Sequence, residues 1–131
     1  MTDPIADLLT RMRNATLIRQ KAVLVPYSNV KFELAKVFER EGFIEKYERV
    51  GDETSKQPMM RITLRYNKGE SVMRGLKRIS TPGRRVYKSY REIPKKLPSL
   101  GLLVLSTSGG ILTNLEAKQK KLGGEILCEI Y

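Results

Sequence analysis

Residues 100–118, LGLLVLSTSGGILTNLEAK, admit few folds. An apolar run from Leu102 to Leu105 stops at three small hydroxyl residues, Ser106, Thr107 and Ser108, and then at Gly109 and Gly110. The run is far too short to span a bilayer, and the pattern predicts a β-hairpin with a polar turn in which both glycines take positive φ. Directly after it, Thr113 and Glu116 stand at capping-box spacing and open a short helix, with Lys120, Lys121 and Gly123 at its far end. The closing EILCEIY alternates Ile126, Cys128 and Ile130 on one face and should pair centrally in a sheet.

The rest of the chain supplies the other elements. Residues 3–14 read as an amphipathic helix with Asp3 as N-cap, Pro4 in the first turn, and Ile5, Leu8, Leu9 and Met12 at helical spacing. AVLVP reads as a strand ended by Pro26, and Ser28 or Asn29 caps a second helix running to Glu41, with Val30, Leu34, Val37 and Phe38 as its stripe and Gly42 as its stop. FIEKYERV and MMRITLRY form an antiparallel pair joined through GDETSKQP, with Met60, Ile62, Leu64 and Tyr66 alternating against Arg61, Thr63 and Arg65. Periodicity fails at YNKGES, which sets a soft boundary near residues 67–73. The expected class is α+β: an αβαββ subdomain over 1–70, then a mostly antiparallel β subdomain with one short helix over 71–131.

A row of hydroxyls at a strand tip has three readings: a nucleophile elbow, a phosphate cradle, or an edge that reads a polar partner. Composition weakens the first. The chain has no His and one Cys, so a His-based general base, a zinc site of His or paired Cys, and an internal disulfide are all excluded. Cys128 reads as a small buried hydrophobe in a reducing compartment. No Gly-x-Ser-x-Gly, no Walker spacing and no Gly-x-Gly-x-x-Gly occurs, which removes the second reading. The acidic MTDPIADLL is no signal peptide. What remains is an edge that offers hydroxyls and amides to the shallow minor groove of A-form RNA, beside the plain alternative of a polar turn.

The net charge of +11 favours a polyanionic partner, nucleic acid ahead of an anionic membrane. It is unevenly spread. Residues 1–73 carry a net +3, residues 97–131 are neutral, and residues 74–96, RGLKRISTPGRRVYKSYREIPKK, hold nine basic side chains against one acidic. A charge run is usually a solvated face. Here five of the nine are Arg, and Tyr87 and Tyr90 are interleaved with Arg85, Lys88 and Arg91, so rings for unstacked bases stand beside cations for the backbone. The expected division is that Arg84, Arg85 and Lys88 hold the polyanion while the neutral hydroxyl segment reads it.

Three long motifs, DPIADLLTRMRNA, GLKRISTPGRRVYK and GLLVLSTSGGILTNLEA with GGEILCEIY, closely resemble the S-eight family of bacterial small-subunit ribosomal proteins, in order and over essentially the whole chain. The resemblance implies a non-enzymatic structural protein that binds the central domain of 16S ribosomal RNA and supports 30S assembly. It implies no cofactor, metal, membrane or small-molecule substrate, neighbouring small-subunit proteins as further partners, and a place in the cytoplasm or, if plastid-encoded, the organellar stroma. A free-standing RNA-binding regulator or chaperone, including a repressor of its own messenger, is the alternative. Carried over residue by residue, the RNA-reading segment falls on Ser106, Thr107 and Ser108. RVYK falls on Arg85 to Lys88, GGE on Gly123, Gly124 and Glu125, and N-terminal contacts on Asp3, Thr10, Asn14 and Lys31. Family members often carry Lys or Gln where Gly109 stands, so a phosphate contact from that side chain is missing here. The chain also ends in Tyr131 where Trp is frequent.

Overall fold

The computed structural model describes residues 3–51 and 56–131, so part of GDETSKQP lies outside the described residues. The chain divides into two compact units, Asp7–Met73 and a second made of residues up to Ala6 with Arg74–Tyr131. Helices and antiparallel strands mix in both, which makes the class α+β.

Helix α1 spans Pro4–Leu17 and buries Leu8, Leu9, Met12 and Ala15, while Ile5 is only half-buried. It outruns the expected end at Asn14 because no Gly stops it; Arg19, at φ 56°, supplies the left-handed residue instead. Strand β1, Ala22–Pro26, and helix α2, Asn29–Arg40, follow, and the Ser28 side chain accepts a hydrogen bond from Lys31 N at 3.2 Å. The buried face of α2 is Lys31, Leu34, Ala35, Val37 and Phe38; Val30, expected in the stripe, is 46% exposed. Positions 31, 34, 35 and 38 are the true helical neighbours, so Lys31 fills the slot assigned to Val30. Its methylenes cover the core in the way an aliphatic side chain would.

Strands β2, Ile44–Val50, and β3, Met59–Leu64, pair antiparallel, with β1 on the other side of β3. Met60, Ile62 and Leu64 are buried as the alternation predicts. Tyr66 leaves that ladder: Tyr66–Asn67 (β4) and Glu70–Ser71 (β5) make their own ribbon across Lys68 and Gly69, both at positive φ.

In the second unit, β6 (Leu76–Arg78), β7 (Tyr87–Lys88), β8 (Leu102–Thr107), β9 (Gly110–Thr113) and β10 (Gly124–Ile130) form one sheet in the order β6-β10-β8-β9. Central β10 pairs with β8 along one edge; along the other it pairs with β7 at 124–125 and with β6 at 128–130. Helix α3, Asn114–Gln119, carries the expected capping box of Thr113 and Glu116. Ile93, Leu103, Leu105, Leu112, Ala117 and Ile126 make the core under it.

Three local expectations give way here. A bulge at Leu127 sets Ile126 opposite Leu105 but Cys128 opposite Val104, so these two side chains point to opposite faces instead of sharing one. The left-handed residue after α3 is Lys121, not Gly123. In the β8–β9 turn Gly110 takes positive φ, at 102°, and Gly109 does not. Cys128 is fully buried, and burial pushes its thiol up to about 12, which keeps it protonated.

Candidate nucleic-acid interface

Backbone register brings the separate sequence motifs to one end of the sheet. Lys88, Gly124, Thr107 and Gly110 lie opposite one another across β7, β10, β8 and β9. The next row is Tyr87, Glu125, Ser106 and Ile111. Directly opposed residues share a face and successive ones alternate, so Tyr87 and Ser106 flank Glu125 on one side, while Lys88 and Thr107 flank Gly124 on the other. Tyr87 is 68% exposed, Arg84, Lys88, Ser108 and Gly109 are exposed, and Ser106 and Thr107 are half-buried.

Two glycines make this convergence possible. A Cβ on Gly124 would sit 2.1 Å from Ser106 O, and one on Gly123 would sit 2.5 Å from Lys88 O. Both meet backbone, which cannot swing aside. Gly123 is therefore required by close approach of β7 and not by the end of α3.

The hydroxyls divide by role. Thr107 Oγ1 donates to Gly110 O at 2.8 Å and accepts from Gly109 N at 3.1 Å, so the middle hydroxyl closes the turn. Ser106 and Ser108 flank it. The segment is also no sheet edge: β8 is paired on both sides, and the polar group sits at a hairpin tip.

The cations divide too. Arg85 Nη1 donates to Glu125 Oε2 at 2.9 Å, and the hydroxyl of fully buried Ser80 donates to the same oxygen. Burial would raise the Glu125 carboxyl's pKa, but the bonds from Ser80 and Arg85 hold it below its usual range. Ser80 Oγ accepts from Val86 N at 3.2 Å, so one carboxylate fastens the turn before β7 to the start of β10. Sequence reasoning missed Ser80, since its partner lies 45 residues away and no local pattern marks it. The tyrosines separate as well: Tyr87 faces out, while Tyr90 packs on the core with Arg91 5.7 Å above its ring.

Of the expected N-terminal contacts, Asp3 is engaged elsewhere in this unit. Its carboxylate accepts from Ala6 N at 3.1 Å and from Arg78 Nε at 3.1 Å, and Arg78 Nη1 reaches Leu127 O at 2.7 Å. Burial alone would raise its pKa; the bonds from Arg78 and Ala6 leave it lowered. Thr10, Asn14 and Lys31 belong to the other unit, where Thr10 and Asn14 are exposed and Lys31 is 5% exposed. Burial pushes the Lys31 ammonium's pKa down, against the pull of Asp7.

Hydroxyls, an open ring and exposed cations at one sheet end suit an RNA partner, and comparison with known proteins decides the lineage. A family model described as Ribosomal protein S8 matches residues 3–131. The chain belongs to the ribosomal protein S8 family. Relatives of this S8 chain include the small ribosomal subunit protein uS8 of Geobacillus stearothermophilus, 51% identical over 99% of this chain and 98% of the relative. The protein of the same name from Lysinibacillus sphaericus is 52% identical over 100% and 98%. An S8 protein is a structural ribosomal component and not an enzyme, in agreement with the lack of an acid–base constellation in the sequence. No helix among the described residues is long and apolar enough to cross a membrane.

Proposed function

We propose that the chain is a primary RNA-binding protein of the small ribosomal subunit, binding the central domain of 16S ribosomal RNA directly and supporting 30S assembly. The observation that carries this reading is the register that sets Lys88, Gly124 and Thr107 in one row and Tyr87, Glu125 and Ser106 in the next. Lys88 and Arg84 supply affinity through phosphates. Ser106 and Ser108 supply discrimination through donors and acceptors in the minor groove, and Tyr87 offers a stacking surface. Arg85 acts at the rim with Glu125 already against it. Thr10, Asn14 and Lys31 form a second, N-terminal set of contacts.

The test separates holding from reading. Lys88→Ala should weaken binding to cognate and random RNA alike and flatten the salt dependence by about 0.7 to 0.9 in log–log slope, the value of one phosphate. Ser106→Ala should erode preference for the cognate RNA with the slope unchanged. Equal losses on both RNAs for Ser106→Ala would contradict a reading role, and nuclease footprinting on small-subunit RNA locates the helix bound. In the alternative role of messenger repressor the same surface is engaged, so the messenger competes with ribosomal RNA in the same assay.

A further inference from the structure

In the two rows at the sheet end and the hairpin tip beside them, Glu125 is the one residue with a negative charge; Lys88 is a cation and the others are neutral. The strand fixes its place on both sides. Before it, a Cβ on Gly124 would sit 2.1 Å from Ser106 O, so the backbone has no room to shift toward β8. After it, Ile126 N donates to Val86 O at 2.8 Å and Ile126 O accepts from Ser80 N at 3.0 Å. The side chain is fixed as well. Fully buried Ser80 and half-exposed Arg85, the latter at 2.9 Å, both donate to Oε2, and only 14% of the Glu125 side chain is exposed. Oε1 has no donor among the described residues.

Fastening the turn before β7 does not require a charge. A neutral amide oxygen accepts from a serine hydroxyl and from a guanidinium just as a carboxylate does, and an ion pair to a guanidinium as open as that of Arg85 contributes little. Yet the residue is an acid. Burial would raise its pKa, but the bonds from Ser80 and Arg85 keep it ionised. A fixed negative charge on a surface that binds a polyanion weakens every complex in which a phosphate comes near it. It does not weaken one in which a groove edge, with its hydroxyls and amino groups, takes that place. We propose that Glu125 is a specificity-determining residue that acts by repulsion: it turns away RNA that lays its backbone across the row of Tyr87, Glu125 and Ser106, and it keeps Arg85 out of non-specific phosphate contacts. Ser80 is its positioning residue. The inference rests on the RNA-binding reading and adds to it a charge that acts against wrong partners.

The test is Glu125→Gln in the full chain, which keeps both hydrogen-bond acceptors and removes only the charge. Affinities are measured across a salt series for a small-subunit RNA fragment spanning the footprint and for a random duplex of equal length. The random duplex should bind about tenfold tighter at low salt, with a log–log salt slope steeper by about 0.7 to 0.9 as Arg85 joins the phosphate contacts. The cognate fragment should stay within about threefold of the parent at the parent's slope, because no phosphate lies against the carboxylate in that complex. A random duplex bound no tighter than by the parent, or equal tightening on both RNAs, overturns the proposal. Arg85→Ala gives a second readout that does not depend on Glu125→Gln folding: with its neutralising cation gone, the carboxylate should weaken the random duplex more than the cognate fragment, and equal losses on both overturn the proposal. Lys88→Ala, measured beside them, separates the two readings. If it weakens both RNAs and flattens the slope while Glu125→Gln leaves the ratio of affinities unchanged, only the repulsion inference falls; if neither variant changes binding, both readings fall.

Discussion

Gly109 lies exposed at the tip of the β8–β9 hairpin, and its backbone does not need glycine, since it is Gly110 that takes positive φ. A Cβ there would meet Leu122 Cδ1 at 2.8 Å, the far end of a flexible side chain that can turn aside. A Lys side chain at this position is thus sterically open to the chain. Gly109→Lys should fold normally, tighten RNA binding at low salt and steepen the salt slope by about 0.7 to 0.9, as read from affinities across a salt series. An unchanged slope would mean that the tip does not approach a phosphate. The neighbouring Thr107 is different in kind. Its hydroxyl both donates and accepts within the turn, so Thr107→Val should cost about 1 to 2 kcal/mol in chemical denaturation and Thr107→Ser much less.

Strand β10 holds the unit together because it pairs with β6, β7 and β8. Its first residue is a point of very close approach. Gly124→Ala would drive a methyl into the Ser106 carbonyl, so β8 and β10 must separate locally and the two rows of interface residues lose register. The expected outcome is a lower unfolding temperature together with loss of affinity for cognate RNA well beyond that of Lys88→Ala. A variant that keeps full affinity would show that the rows need not be in register. The bulge at Leu127 has a related consequence: it lets β10 send Ile126 to the core under α3 and Cys128 to the other face, so both stay buried in one strand.

Across the whole molecule, acid should be the most informative perturbation. Asp3 and Glu125 both have pKa values lowered from ordinary carboxylate values of 3.8 and 4.5. Their ion pairs therefore contribute stability above the ordinary values, and that contribution is lost as pH falls through the depressed ones. Urea midpoints should drop below about pH 4, and Asp3→Asn should be less stable by about 2 to 3 kcal/mol at neutral pH with a shallower acid loss, given the mostly buried Arg78 partner. The class, the main helices, the capping box and the central place of β10 were legible in the sequence because each is written in local periodicity or cap chemistry. The proposed interface could be written from the sequence as a list of residues but not as an arrangement. Nothing local says that Ser80 answers to Glu125, that Gly124 exists for Ser106, or that Asp3 is spoken for by Arg78. Those are pairings across tens of residues, settled only when strands take their register. The Lys31 slot was missed for another reason: an aliphatic stem under a charge looks polar in sequence and behaves as apolar in the core.

The Asp3 and Arg78 bridge also orders events in time. Asp3 precedes its partner Arg78 by 75 residues, and Arg78 is in turn steadied by the carbonyl of Leu127. The opening turn of α1 therefore stays unlatched until Arg78 has been made and β10 has come to lie beside it, so closure of that latch reports late assembly of this unit.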